Sequence, residues 1–526
     1  MNKEVLEIIR ERGLLLEKEV YELVDFLDDS LVVGNFLETI EKSSGEKIIT
    51  KNILNQNVEF VKSAILGLVG KTEEQKSEII LKLGFGNEEK NVGQKIESGK
   101  KNYQVVCAET STEKKLEVKD FVGHFRARYQ QLQRILLKKQ ELQNGLVSIG
   151  KISSDRASLS IIGIVTEKRI TKNKNLIIKF EDLTGEINVL VKFNDKDLFE
   201  KAAELQLDDV VGVRVSGSRE FLFAHEIIFP DSFLEDRMKF DEDISVAFLS
   251  DLHTGSNKHL KKSFEKFLKF LGSEDEVAKK IKYIFFTGDN VDGVGIFPGQ
   301  ENVLNLKSMG LQYAQVVEYL KQVPKNIIMF MCPGQNDATR VAEPQPIISK
   351  KYAPELYKLE NLVLVTNPAI VKLSEGKKEF KVLMYHGASL HSFINEIKEL
   401  RDVKAHTCPA RAVKHLLKRR HLAPTHSSVV YIPNMDLDPL VINEVPDVIT
   451  TGEVHRTDVD NYNGTLIVAC SCWQAQTSFE EKIGNVPDPC KVPILNLKSR
   501  EMKILDFRDE SEVDENGSWK GVENEH

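Results

Sequence analysis

The chain has 526 residues, enough for about two to four domains, and its 41% apolar and 29% charged side chains are ordinary for a globular protein. Lys and Arg number 72 against 80 Asp and Glu, so the formal charge of -8 excludes a polycationic DNA-compacting protein but leaves room for a local basic surface. No run of about 18 apolar residues marks a membrane span, the first residues lack an apolar signal core, and six cysteines without a CxxC pair exclude a disulfide framework. The expected setting is cytoplasmic and away from membranes.

Residues 1–85 read as a small helical domain. Val5, Ile8, Ile9, Leu14 and Leu15 fall at helical spacing, and a second apolar patch runs from Val61 to Val69. Its bland role is docking or spacing. Residues 86–118 are polar with no persistent apolar period, which predicts a flexible linker. A helix then starts with Asp120 as its cap. Phe121, Phe125, Tyr129, Leu132 and Leu136 form one stripe ready to pack on the next domain.

The period changes after residue 145. LSIIGIVTEKR, NLIIKFEDLTG, EINVLVKF, VVGVRVSG and FLFAHEIIF are short β-branched runs separated by turn-formers, with one helical interruption, DKDLFEKAAEL. Five such strands predict a Greek-key barrel of the OB type, so 119–235 reads as a helix plus barrel. Such barrels bind single strands through basic and aromatic side chains, but Phe180, Phe193, Phe221 and Phe223 are few and fit a core equally well. From 240 to 507 strands and helices alternate: ISVAFLSD, a helix near 260–272, YIFFTGD, a helix near 305–322, and NIIMFMCPG. This predicts an α/β domain with strands buried on both faces. Cys470 and Cys472 read as buried reduced thiols. The acidic, polar stretch 508–526 reads as a disordered tail. The whole is an α+β multidomain chain.

The chemistry lies at the strand ends, where open α/β sheets place their sites. Asp251 and His253 end the first strand, and Asp289 ends the second. Gln335, Asn336 and Asp337 follow the third; His386, and then Glu453 and His455, follow later ones. Alternate residues of an extended segment share a side, which would let Asp251 and His253 converge on one cation. Oxygen and imidazole donors together suit Mn²⁺, Mg²⁺, Fe or Zn²⁺.

DxH, GDxxD, PGxxD, a late HG and GxVH, in that order and each after an apolar strand, resemble the calcineurin-like metallophosphoesterase superfamily, which includes double-strand-break repair nucleases. The resemblance implies two divalent ions, Mn²⁺ or Mg²⁺ foremost, about 3.5–4 Å apart. Asp251, His253 and His455 would hold the first, Asp289 would bridge, and Gln335, His386 and Glu453 would stand at the second. The chain departs from the pattern at three places. Gly334-Gln335-Asn336-Asp337 replaces Gly-Asn-His-Asp/Glu, so Asn336 and Asp337 occupy the catalytic positions without the histidine acid. General-acid catalysis, typically about 10²–10⁴-fold, should be lost there. A one-residue slide of the loop would make Asn336 the ligand instead of Gln335. Glu453 stands where the family has the first histidine of Gly-His-x-His.

Longer strings narrow the resemblance. GDNVDGVGIFPGQ (288–300), DATRVAEPQP (337–346), KRRHLAPTHS (418–427) and WQAQTSFEEKIGNVPDPCKVPILNL (473–497) are similar to the small subunits of archaeal family-D DNA polymerases. That family implies a large catalytic subunit as partner, primer-template DNA, a sliding clamp reached through the holoenzyme, and 3′→5′ proofreading. The basic stretch with Arg411, Lys414, Lys418, Arg419 and Arg420 then reads as a phosphate-binding surface, or else as a solvated helix face. His391, His415, His421 and His426 are further site-like histidines outside the family pattern. Three functions follow: a proofreading exonuclease subunit, a catalytically silent scaffold of the same polymerase, or a stand-alone phosphodiesterase.

Overall fold

The computed structural model describes residues 102–513 apart from 111–114, 144 and 155–156, together with Trp519 and scattered positions up to residue 49. The chain divides into two units, Met1–Gly93 and Gln94–His526. In the first, Leu15–Leu16 pairs in parallel with Ile48–Ile49. Ile9, Arg10, Val20, Val33 and Leu37 are helical, and the rest of the helical reading of 1–85 lies outside the described residues.

In the second unit, a strand β1 (Tyr103–Cys107) precedes a long helix α1 (Val118–Leu136). Five strands follow: β2 (Ala157–Ile170), β3 (Leu176–Asp182), β4 (Gly185–Val191), β5 (Val210–Ser218) and β6 (Phe221–Ile228). They close into a barrel of order β2-β3-β4-β6-β5, with helix α2 (Lys196–Glu204) between β4 and β5. Alternate residues such as Ile161, Ile178, Phe180, Val189, Val213 and Leu222 fill the interior. Phe180 is core, whereas Phe193 and Phe223 are exposed. On α1, Tyr129, Leu132 and Leu136 pack against Ile162, Val210 and Ile228 of the barrel. Asp120 is not the helix cap: the cap is Glu117, three residues earlier, and the Asp120 carboxylate accepts the Glu117 backbone N–H at 2.8 Å.

The remaining strands build two sheets face to face. The first has order β10-β9-β8-β7-β16-β17 and the second β14-β15-β13-β12-β11-β1. Here β7 is Ser245–Leu249, β8 Ile281–Thr287, β9 Ile328–Cys332, β10 Leu362–Leu364, β11 Ala369–Glu375 and β12 Lys378–Met384. Likewise β13 is Val448–Thr451, β14 Asp458–Tyr462, β15 Thr465–Ala469, β16 Lys491–Asn496 and β17 Met502–Asp506. The two-residue side-chain period splits each strand between two cores. Val246, Phe248, Tyr283, Phe285 and Phe330 meet Val371, Phe380, Val382 and Val448 between the sheets. Ala247, Leu249, Ile284 and Phe286 face helices α3 (Lys261–Leu271) and α4 (Met309–Leu320) on the outer side. Leu383, Ile449 and Ile467 pack under α5 (Ala410–Arg419) on the other. The result is a four-layer α/β/β/α sandwich.

Two expectations change. The linker reading of 86–118 fails at β1, which pairs antiparallel with β11 (Tyr103 opposite Leu373, Cys107 opposite Ala369). Tyr103, Val105 and Cys107 alternate inward onto the intersheet core, a period hidden by polar flanks. The tail reading of 508–526 fails at its start. The Glu512 carboxylate accepts the Lys262 and Ser263 backbone N–H groups at 2.9 and 3.0 Å and so caps α3.

Candidate metal centre

Four strands of the two sheets, β7, β8, β12 and β13, deliver their carboxyl ends to one place. Backbone bonds lash the loops together: Asp251 N–H to Gly288 O, His253 N–H to Asp289 O, and Gly452 N–H to His386 O. The glycines are required by close approach. A Cβ on Gly452 would lie 1.9 Å from Ser250 Oγ and 2.4 Å from Asp251 Oδ2, and one on Gly334 would lie 2.2 Å from Asp289 Oδ1.

Two donor groups form, each spanning less than 4.8 Å: Asp251, His253 and His455; and Asp251, Asp289 and His386. The expected first set is therefore assembled. The carboxylate common to both groups is Asp251 rather than Asp289. Asp251 and His253 do not converge by extended-strand alternation either. Asp251, His253, Asp289, Glu453 and His455 all have positive φ, between 45° and 67°, so the convergence is made by left-handed turns. Such strained backbone clusters at functional sites.

Each histidine is aimed by a partner on its Nδ1. Asp292 Oδ1 lies 3.1 Å from His253 Nδ1, Glu480 Oε1 lies 2.8 Å from His455 Nδ1, and the Thr287 carbonyl lies 2.7 Å from His386 Nδ1. This is the arrangement that presents Nε2 to a metal. The Nε2 atoms of His253 and His455 face each other at 3.1 Å. With both Nδ1 atoms committed to carboxylates, two lone pairs would oppose each other unless a cation or proton stands between them. His386 Nε2 is buried without a hydrogen-bond partner, ringed by Glu453 at 3.2 Å, Asp289 at 3.5 Å and Asp251 at 4.0 Å. Oxygen and imidazole donors with an orphaned nitrogen fit divalent cations.

Charge balance agrees. Burial works to raise the Asp251 carboxyl, but His455, His386 and His253 hold it down to about 2. Burial opposes protonation of His386, yet Asp289, Glu453 and Asp251 lift it well above its ordinary value. Burial, with the Asp289 charge beside it, pushes Asp337 up to about 6. Behind the site, burial pushes Glu343 up to about 8.

In the loop after β9, Asn336 lines the cavity and Gln335 does not. Asn336 faces the site: its backbone N–H and its Nδ2 donate to the two Asp289 oxygens, each at 2.9 Å. Gln335 Oε1 is buried without a hydrogen-bond partner. Asp337, expected to be catalytic, is a loop tie. It is buried, and it accepts from Gly334 N–H, both Asn290 nitrogens and the Tyr313 hydroxyl.

The basic surface expected on α5 is not a free surface. Arg419 is 3% exposed and Arg420 6%. Arg419 Nε donates to both Asp209 oxygens at 2.9 and 3.1 Å and its Nη2 to the Glu204 carbonyl. Arg420 caps the Ile442 and Asn443 carbonyls, Lys418 pairs with Glu204, and Lys414 pairs with Asp460. Arg411 alone of the five is exposed. A linear sequence cannot show that this helix turns its basic side onto the barrel. His415, His421 and His426 are likewise engaged, with Glu204, Asp438 and Tyr431. His391 does reach the cavity, with Nε2 3.6 Å from Glu453 Oε1. The sequence reading missed Asp292 and Glu480 as aiming groups. Thr477-x-x-Glu480 is a capping-box pattern that would have placed Glu480 at a helix start.

A family model for the B-type subunits of DNA polymerases alpha and epsilon matches residues 246–459. The DNA polymerase II small subunit of Methanothermobacter thermautotrophicus is 33% identical over 518 residues, covering 96% of this chain and all of that protein. The Pyrococcus furiosus protein of the same name is 37% identical over 402 residues, 74% of this chain, and the chain spans 64% of its length. The Thermoplasma acidophilum one is 33% identical, covering 74% of this chain and 78% of that protein. A solved structure described as a novel archaeal phosphodiesterase aligns over 50% of this chain at 12% identity with a TM-score of 0.25, too weak a likeness to bear on the fold. Identity across the whole length of a relative, over the stretch that carries both the barrel and the donor cluster, makes this chain a member of the archaeal DNA polymerase II small-subunit family.

Proposed function

We propose that the chain is the small subunit of a two-subunit replicative DNA polymerase. It partners a large catalytic subunit, and through it primer-template DNA and a sliding clamp, and it carries a metal-dependent phosphodiesterase that trims DNA 3′ ends. The observation supporting hydrolysis is the pair of overlapping donor groups sharing the buried Asp251, of which His253, His455 and Asp289 line a cavity of about 900 Å³. Two bound divalent ions, Mn²⁺ or Mg²⁺ with Fe or Zn²⁺ as alternates, would supply Lewis acidity toward a phosphoryl oxygen and a more acidic attacking water. The chain's own residues do the rest. Asp292, Glu480 and the Thr287 carbonyl hold the three imidazoles in the ligating tautomer. Asn336, anchored on Asp289, can donate a neutral hydrogen bond to a leaving oxygen but no proton. The departing alkoxide then takes its proton from water, and the rate falls short of a histidine-bearing site by about 10²–10⁴-fold.

The barrel's strand order, with a helix between its third and fourth strands, supports an OB-type domain over about 119–235, followed by a calcineurin-like phosphoesterase domain over about 240–507. A silent scaffold is the second reading. It is favoured by Glu453, whose carboxylate pairs with His386 where the family has a neutral histidine. The test is Mn²⁺-dependent degradation of a 3′-labelled single strand and a mismatched primer, by the chain alone and with its large subunit, against Asp289→Ala. Degradation that Asp289→Ala loses supports the nuclease. None in either setting leaves the scaffold. Failure to capture a large partner chain would return the stand-alone phosphodiesterase.

A further inference from the structure

The cavity that holds the donor cluster also has an aromatic rim that neither metal binding nor folding accounts for. Phe297 and Phe479 both line it, and they are 51% and 68% exposed. Single exposed apolar side chains are ordinary, but two open rings lining one cavity, with the partly exposed Ile296 beside Phe297, make a patch of the kind that marks a binding site. Each ring is also tied to a candidate metal ligand. Phe479 adjoins Glu480, which holds His455. Phe297 sits in a loop closed by Gln300, whose Nε2 donates to the Asp292 carbonyl while Asp292 holds His253. Ile296 N–H bonds Gln300 Oε1, fixing the same loop. The backbone that carries each ring is therefore tied to the donor cluster. Lys258 and Lys482 line the cavity beside them. At about 900 Å³ the space lies near the top of the ~300–1,000 Å³ range of small-ligand sites.

Resting on the phosphodiesterase reading, we propose that Phe297 and Phe479 are the base-stacking rim of this site, taking the unpaired terminal nucleotides of a DNA 3′ end. Stacked flat rings tolerate any base, lysines match a phosphate backbone, and the donor cluster stands where a terminal phosphodiester would be held. A base-paired terminus offers only its outer face, so entry of the terminal nucleotide against both rings requires fraying. The rim would thus select mispaired over paired ends without reading sequence.

The test uses the full-length chain and oligonucleotides carrying 2-aminopurine as the 3′-terminal base, in Ca²⁺ and in EDTA. Terminal-base fluorescence and affinity are read together. The rim predicts a fluorescence change on binding for single-stranded and mispaired ends, and little for paired ends. Phe297→Ala and Phe479→Ala should each weaken single-strand binding about tenfold and lose the fluorescence change. Phe479→Trp should keep both, and Phe479→Leu should lose both despite its apolar bulk. Unchanged affinity in both alanine variants, or full function in Phe479→Leu, overturns the proposal. Its failure is separable from that of the nuclease. Ring-dependent binding without Mn²⁺-dependent cleavage removes the nuclease and keeps the rim. Cleavage with ring-independent binding removes the rim and keeps the nuclease.

Discussion

Arg419→Met separates a structural from a nucleic-acid role for the basic helix. Arg419 is 3% exposed and Asp209, its partner through two hydrogen bonds, is 2% exposed. Removing the guanidinium strands the Asp209 carboxylate between the barrel and the sandwich. Breaking a buried pair from one side costs about 3–5 kcal/mol. At about 2–4 °C per kcal/mol for a large domain, the midpoint of thermal unfolding should fall by about 6–20 °C. The pH dependence has a definite sign. Burial already raises the Asp209 carboxyl against the pull of Arg419. A folded value above the unfolded one makes its burden absent at acid pH and growing as pH rises. Without Arg419 the rise is larger, so the deficit should shrink as pH falls toward about 4. Arg419→Met with Asp209→Asn should recover part of the loss, because no unpaired carboxylate is then left buried; Glu204, the other partner of Arg419, keeps Lys418. The assay is thermal unfolding between pH 4.5 and 8, beside the salt dependence of DNA affinity. A midpoint shift under about 2 °C, with the salt slope reduced by about one, would refute the bracing role and restore the phosphate contact.

Other outcomes follow from the same contacts. Asn336→His should raise Mn²⁺-dependent cleavage by up to about 10²-fold and give the rate a pH dependence near neutrality; no gain even with Gln335→Asn and Glu453→His would mean the pocket differs by more than its acid. Glu343 is 1% exposed and held up to about 8, so its folded value exceeds the unfolded one and its contribution to stability is lost as pH rises from about 4.5 to 8, at roughly 1.4 kcal/mol per pH unit. Glu343→Gln should flatten that slope, as read by denaturant unfolding across the range. Glu512→Ala should cost about 1 kcal/mol by uncapping α3, visible as a lower unfolding midpoint.

What is legible in the sequence is what repeats with a short period. The five barrel strands and the strands carrying Asp251, Asp289 and His386 stand out because side chains alternate and turn residues end each run. The donors can be located because each follows such a run. What stays hidden depends on direction in space. Arg419, Arg420 and Lys418 sit on a helix whose outward side no linear pattern marks, and burial of a cation shows only when Asp209 and Glu204, some 210 residues earlier, come into contact. Asp337 carries the same carboxylate as Asp289 but turns inward to tie Gly334 and Asn290. The Tyr103–Cys107 strand is masked because its partner lies more than 260 residues away.

The left-handed backbone at the donor positions also restricts how this site can change. Asn, Asp, His and Gly enter that conformation most readily, whereas β-branched side chains are excluded from it. Drift at 251, 253, 289 and 455 is thereby channelled toward residues that are themselves metal donors, or toward glycine. Positions 335 and 336 are not among the residues with positive φ and have no such filter. Substitution is therefore freer in that loop than at those four positions, so a lineage can shed its proton donor while Asp251, His253, Asp289 and His455 persist; Glu453, equally left-handed, replaces one donor with another rather than removing it.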